Sequence, residues 1–290
     1  LQLIVDRENQ YRRLDKFLRN QLTNVPLSEI YKFIRTGKVL VNDRPVKKAS
    51  YEIDPGDKID LLVDLSLYKK KRKELSAVPL KLDILYEDDN LLVLNKKPGI
   101  SLHPSERTKG TTLIQGLLFY GDRHGFQPYL VHRLDRDTSG ILVVAKNLRV
   151  CRILSRMFKE RFVEKEYIAL VSGSLQGHGV INTPLDGLES LTEYTVIENF
   201  QDSTLVSVLL HTGRTHQIRR HFSSIGKPVI GDMLYGDKTI NKLYRERFGL
   251  RRQFLHCIRI SFADPSQPRR LQIKAPLSED LEEVLRGLRR

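Results

Sequence analysis

The sequence predicts an α+β protein built as two units, a small basic one followed by a larger one. Three observations carry this. The chain has 290 residues and is 40% hydrophobic, enough for one large domain or two. Some stretches repeat apolar residues at helical spacing, while others alternate or run continuously apolar between turns, as strands do. The basic excess is also uneven: residues 1–73 hold 17 basic and 10 acidic residues within a net charge of +14. The run Lys69–Lys73, closed by Pro79, reads as a linker. The expected boundaries are 1–64 for the small unit, 65–79 for the linker and 80–290 for the large unit.

In the small unit, Leu14, Phe17, Leu18 and Leu22 form one helical stripe. Pro26 interrupts, and Ser28 is positioned to cap a second helix with Ile30, Phe33 and Ile34 inside. Lys38–Asn42 reads as a strand, Asn42-Asp43-Arg44-Pro45 as a turn, and Lys58–Val63 as a further strand after the turn Asp54–Asp57. Arg12, Arg13, Lys16, Arg19, Lys32, Arg35, Lys38, Lys47 and Lys48 lie off the apolar stripes and are suited to a polyanion. That polyanion is RNA or DNA ahead of an anionic membrane surface.

In the large unit, Leu82–Tyr86 and Leu91–Asn95 flank Glu87–Asn90 as a hairpin. Thr111–Tyr120 and Leu148–Phe158 read as helices. Between them lies Val-His-Arg-Leu-Asp-Arg-Asp-Thr-Ser-Gly, residues 131–140. Thr138-Ser139-Gly140 is turn chemistry and Ile141–Ala145 a buried strand, which sets Asp135 and Asp137 in a turn on a rigid scaffold. Lys165–Val171 is a strand with Tyr167, Ala169 and Val171 on one side. Tyr194–Glu198 and Thr204–His211 pair as strands, with Asn182–Leu191 an irregular loop before them. A helix begins near Thr215, with Ile218, Phe222 and Ile225 inside, and stops at Gly226. Gly231–Gly236 is a turn-rich loop, Phe254–Phe262 and Leu271–Lys274 are strands, and Ser278 opens a last helix with Leu281, Val284, Leu285 and Leu288 inside.

Several classes are set aside. No apolar run approaches the roughly 18 residues of a membrane helix. The opening residues are too charged for a signal peptide. Cys151 and Cys257 fit neither a disulfide framework nor a zinc site, so a reducing cytoplasm is expected. His211, His216 and His221 are spaced by five, about 140° apart on a helix, and cannot share one metal face. Arg219 borders the apolar stripe and calls for a carboxylate partner, Asp135 or Asp137.

The small unit resembles the RNA-binding domain of ribosomal protein S-four and its relatives, through Arg13–Leu18, Ser28 with Ile34–Asn42, and Val46–Lys48 with Asp54–Asp57. The large unit resembles the pseudouridine synthases of the ribosomal large-subunit type. The motifs are Asn95-Lys96, Pro98-Gly99, His103-Pro104, His132–Gly140, Lys165–Val171, Gly213–Arg219, Gly231-Asp232 with Tyr235-Gly236, and Leu255-His256. The resemblance implies a mixed, largely antiparallel sheet flanked by helices, and isomerisation of uridine in rRNA or tRNA. It makes Asp135 the catalytic aspartate, Tyr167 the active-site tyrosine and Arg219 the arginine that pairs with Asp135. The RNA-binding candidates are Arg133, Arg136, Arg214 and His216 in the large unit, and Arg13, Lys16, Arg35 and Lys38 in the small one. Lys97, Arg220 and Cys257 depart from the family pattern, and the Asn182–Leu191 loop is short for it.

The implied reaction breaks the bond from base nitrogen to ribose, turns the uracil, and joins carbon 5 to the same ribose carbon. The uridine must first be unstacked. A carboxylate serves as nucleophile or base, and a guanidinium beside it offsets the desolvation of its charge. No metal or cofactor is required, and a monomer acting on RNA, rRNA ahead of tRNA, is expected with no membrane partner. Two rivals differ in class. A nonenzymatic RNA-binding or ribosome-assembly protein would bind RNA whether or not Asp135 is intact. A hydrolytic N-glycosidase would use Asp135 and Asp137 as a carboxylate pair.

Overall fold

The computed structural model describes the chain apart from residues 7–10, 23, 69–74, 105–107 and 109 and the side chains of residues 66 and 67. The basic run Lys69–Lys73 therefore lies outside the described residues. Two compact units are present, Leu1–Leu75 and Ser76–Arg290.

The first unit runs β1 (Gln2–Ile4), α1 (Leu14–Gln21), α2 (Leu27–Arg35), β2 (Val39–Val41), β3 (Arg44–Pro45) and β4 (Lys58–Leu61). The strands pair antiparallel in the order β1-β4-β2-β3. Leu14, Phe17, Leu18, Leu22, Ile30, Phe33 and Ile34 are buried against Val39, Val41, Ile59 and Leu61, so both helical stripes face the sheet. Asn42 and Asp43 carry φ of 49° and 63°, the left-handed pair that a two-residue hairpin turn needs. Ser28 does not cap α2. The helix starts two residues earlier, at Leu27 after Pro26, which puts Ser28 inside its first turn.

The second unit continues with β5 (Ile84–Glu87), β6 (Leu91–Lys96), α3 (Leu113–His124), β7 (Tyr129–Leu130), β8 (Ser139–Ala145), α4 (Leu148–Lys159) and β9 (Glu164–Ser172). It then runs β10 (His178–Ile181), β11 (Thr192–Asn199), β12 (Ser203–Leu210), α5 (Gln217–Ser224), α6 (Lys238–Phe248), β13 (Leu255–Ala263), β14 (Arg270–Lys274) and α7 (Glu279–Leu288). Its sheet has ten strands with the main path β10-β11-β12-β9-β13-β8-β6-β5, while β14 pairs with β13 and β7 with β8. β8 and β13 pair in parallel and the other pairs are antiparallel. This is the mixed, largely antiparallel sheet that the family resemblance implies.

Strand β9 shows why helices cover both faces. Tyr167, Ala169 and Val171 join the larger core with residues of α3, α4 and α5. Ile168 and Leu170 join a second core with Tyr244 of α6 and with Leu281, Val284 and Leu285 of α7. Period-two alternation thus serves two apolar layers.

Three expectations shift. The turn before β8 is at Arg136-Asp137, and Ser139 and Gly140 already belong to the strand. Gly140 has φ +106°, and a Cβ there would collide with the Cys257 carbonyl oxygen, so the parallel pairing requires glycine. Ile225 is 40% exposed, because α5 ends at Ser224. Helix α6 was not expected. It is mostly polar, with only Ile240, Tyr244 and Phe248 at four-residue spacing, although Asp237 caps it by accepting from the N–H groups of Thr239 and Ile240. Among the described residues no helix is long and apolar enough to cross a membrane.

Candidate active site

The loop carrying Asp135 is pinned from beneath. Lys96, at the end of β6, is 2% exposed and donates to the carbonyls of Lys97 (2.9 Å), Arg136 (2.8 Å) and Thr138 (2.9 Å). All three ammonium protons are used, although burial pushes its pKa down to about 7. Arg252 donates to the Asp137 carbonyl (3.0 Å), to Ser139 Oγ (3.1 Å) and Ser278 Oγ (2.7 Å), and pairs with Asp280. Gln253 reaches Thr138 Oγ1 at 3.2 Å. Leu134 anchors the loop in the core. Polar and apolar ties together fix where the Asp135 carboxylate points.

The second wall is the turn that opens α5. Gln217 is 3% exposed and saturated: its Oε1 accepts from Thr212 Oγ1 and the Arg214 N–H, and its Nε2 donates to the Leu191 carbonyl and Thr192 Oγ1. His216 takes a left-handed φ of 54° at the helix start. Ile218 and Phe222 bury themselves, which carries Arg219 inward. Arg219 then bridges two carboxylates. Its Nη1 donates to Asp135 Oδ2 at 2.9 Å, while Nε and Nη2 grip Asp232 at 2.6 and 2.9 Å. Tyr235 lies over the guanidinium at 5.2 Å.

Asp232 is fully buried and also accepts the backbone N–H groups of Leu234 and Tyr235. Burial alone would raise its pKa, but the Arg219 bonds and these amides hold it below the ordinary carboxylate range. Burial likewise works against the Arg219 charge, and the two carboxylates more than compensate, raising its pKa. The expected partner of Arg219 was one carboxylate, and the structure supplies two. Asp137 is not among them, since its carboxylate turns to Arg136 at 2.9 and 3.0 Å. One shared arginine thus links Asp135 to Asp232, while Asp137 stays outside that bridge and lines a second cleft together with Asp135.

Asp135 faces a cleft of about 380 Å³. Tyr167, 5% exposed, lines it. Burial, then the neighbouring Cys257 and Asp135, push the Tyr167 phenol well above its ordinary range. Cys257, buried behind it, is pushed up to about 12 by burial. Arg133, Arg214 and His216 line the same cleft, together with Lys159, Arg161 and Lys165, which had no expected role. Asp135 is the one carboxylate among the described lining residues. A second cleft of about 730 Å³ shares the Asp135 loop and adds His103, Arg136 and Gln253.

His216 is nearer the carboxylate than an outer RNA contact would be. Its Nε2 is 3.8 Å from Asp135 Oδ1, and its Nδ1 is 3.1 Å from the Tyr235 hydroxyl. Burial lowers its pKa. His132 has a different part: its Nε2 accepts the Val143 N–H at 2.8 Å, its ring stacks on Phe158, and burial pushes it down to about 3. Arg214 Nε donates to the Glu189 carbonyl, and Arg220 grips Asp186 at 2.8 and 3.0 Å. Arg220 therefore fastens the Asn182–Leu191 loop through Asp186. In the first unit Lys16, Arg35 and Lys38 are exposed, while Arg13 is tied to buried Asp15 at 2.9 Å.

Comparison with known proteins assigns the class. Residues 90–224 match the family model described as RNA pseudouridylate synthase, and residues 12–59 match the S4 domain. The chain belongs to the RNA pseudouridine synthases, isomerases that act on RNA, and carries an S4 domain ahead of the catalytic unit. It is 40% identical to ribosomal large subunit pseudouridine synthase C of Vibrio vulnificus over 98% of this chain and 95% of that protein. It is 35% identical to the Escherichia coli K12 protein of the same name over 96% and 93%, respectively. In fold it resembles human RNA pseudouridylate synthase domain containing 4, with TM-score 0.60 and 24% identity over 71% of this chain and 93% of that one.

Proposed function

We propose that this chain converts one or a few uridines of large-subunit rRNA to pseudouridine, acting as a cytoplasmic monomer. The observation that carries the reading is the Asp135–Arg219–Asp232 bridge at the floor of a cation-lined cleft. The relatives' names supply the choice of rRNA.

Asp135 is the catalytic carboxylate. Arg219 holds it by a charge-assisted bond of 2.9 Å on Oδ2, which leaves Oδ1 turned toward His216 and the cleft. Asp232 fixes Arg219 through two bonds, so the pair is set before substrate arrives. Tyr167 packs against the flipped base. The cleft, about 380 Å³, falls within the roughly 300–1,000 Å³ of small-molecule sites and suits one nucleotide rather than a duplex. Arg133, Arg136 and Arg214 hold flanking phosphates, and Arg13, Lys16, Arg35 and Lys38 add contacts from the S4 unit, residues 1–64.

The test incubates the protein with large-subunit rRNA and with bulk tRNA, both from cells lacking the enzyme, and maps pseudouridine by carbodiimide-dependent primer stops. New stops in the rRNA alone are expected. Stops in tRNA alone would reassign the substrate. No stop in either, with RNA still bound, would return the nonenzymatic reading.

A further inference from the structure

Lys165 lines the Asp135 cleft, yet the reading above gives it no role. It sits on β9 two residues before Tyr167, so the pleat sends both side chains to the same face. Its ammonium lies 6.0 Å from the centre of the Phe158 ring and 4.0 Å from where a Cβ on Gly213 would stand. It therefore spans from the strand toward the turn that opens α5. The cleft's one carboxylate among the described residues is already bonded to Arg219, and no carboxylate of those residues pairs with Lys165. Burial lowers its pKa. A half-buried cation without a counter-ion is costly, and such a group in a cleft marks a place where a ligand brings the negative charge.

We infer that Lys165 is a catalytic residue that donates to the uracil carbonyl oxygens as the glycosidic bond breaks. Cleavage leaves the N1–C1′ bonding pair on the base, spread over N1, O2 and O4. Rotation brings C5 to C1′, and the pair forms the C5–C1′ bond. C5 then loses its proton and N1 gains one, so the isomerised base is neutral and Lys165 keeps its own protons throughout. A fixed ammonium in a water-poor cleft stabilises that transient charge more than it stabilises neutral uridine. The inference rests on the reading that the Asp135 cleft is the catalytic one.

The experiment uses the full chain and large-subunit rRNA labelled with tritium at uridine C5, prepared from cells lacking the enzyme. Joining C5 to the sugar releases that label. Wild type, Lys165→Met and Lys165→Arg are compared for single-turnover release at saturating enzyme, RNA affinity and thermal melting. Lys165→Met should slow release on the order of 10²–10³-fold, the loss typical of one such donor. Its RNA affinity should change less than about threefold, and its Tm should hold or rise, because an unpaired half-buried charge is gone. Lys165→Arg should recover much of the rate. Three results would overturn the inference: release at the wild-type rate, weakened RNA binding with the saturated rate intact (a phosphate contact), or Tm and rate falling together (a structural role). Release by wild type in the same assay separates these from failure of the parent reading.

Discussion

Replacing Arg219 with methionine keeps the side-chain volume and removes the cation that two carboxylates share. Asp135 borders the cleft, but Asp232 is fully buried and takes bonds of 2.6 and 2.9 Å from Arg219. Stranding a buried carboxylate in this way costs about 3–5 kcal/mol. At about 2–4 °C per kcal/mol for a unit of this size, the melting temperature should fall by about 6–20 °C. Adding Asp232→Asn removes the stranded charge, while the amide oxygen can still accept the N–H groups of Leu234 and Tyr235. The double variant should therefore regain at least about 2 kcal/mol over the single one. Its activity should stay on the order of 10²–10³-fold below wild type, because Asp135 still lacks its donor. Circular-dichroism melting and tritium release on the same preparations read both effects. A double variant no more stable than the single one would show that Arg219 does not hold a buried charge at Asp232. A double variant with wild-type turnover would show that Arg219 does not serve Asp135.

Other perturbations follow from the same contacts. Gly140→Ala should cost about 3 kcal/mol or more in denaturant unfolding, since the added carbon meets the Cys257 backbone at a φ closed to alanine. Burial pushes the His256 imidazole from 6.5 down to about 4, so the unfolded chain binds the extra proton first. That stability is complete above pH 6.5 and is lost as pH falls to 4, up to about 3 kcal/mol, and His256→Gln should flatten the stability profile in that window. Tyr167 is pushed well above 10, so its hydroxyl stays protonated through pH 9; Tyr167→Phe should lower turnover without altering the shape of the pH–rate profile between pH 6 and 9.

What the sequence revealed and what it hid have separate physical causes. That Arg219 needs a carboxylate was readable because it lies three residues before Phe222, on the edge of an apolar stripe, where a guanidinium calls for a partner. The choice of Asp135 over Asp137 came only with the family resemblance, because it depends on which way a turn residue points. Asp232 stood in a recognised motif, Gly231–Gly236, but its partner is thirteen residues away across a loop, and no local periodicity records such a contact. Lys96 and Arg252 were hidden for the opposite reason. Each sits beside another basic residue, Lys97 or Arg251, in a basic chain and so looks solvated, and only the fold shows them buried against loop carbonyls. Lys159, near the end of α4, likewise passes for an ordinary cation at a helix C-terminus. The apolar stripes of α1 and α2 were legible because each faces a single core.

The measurement that bears most directly on the central claim is carbodiimide mapping of pseudouridine in total RNA from cells lacking this protein. The cells are complemented with the intact chain or with Asp135→Asn, produced at equal levels. One or a few large-subunit rRNA sites should vanish in the deletion and return only with the intact chain. Sites restored equally by Asp135→Asn would contradict the assignment of Asp135, and an unchanged map in cells with no second enzyme for those sites would contradict the rRNA assignment itself.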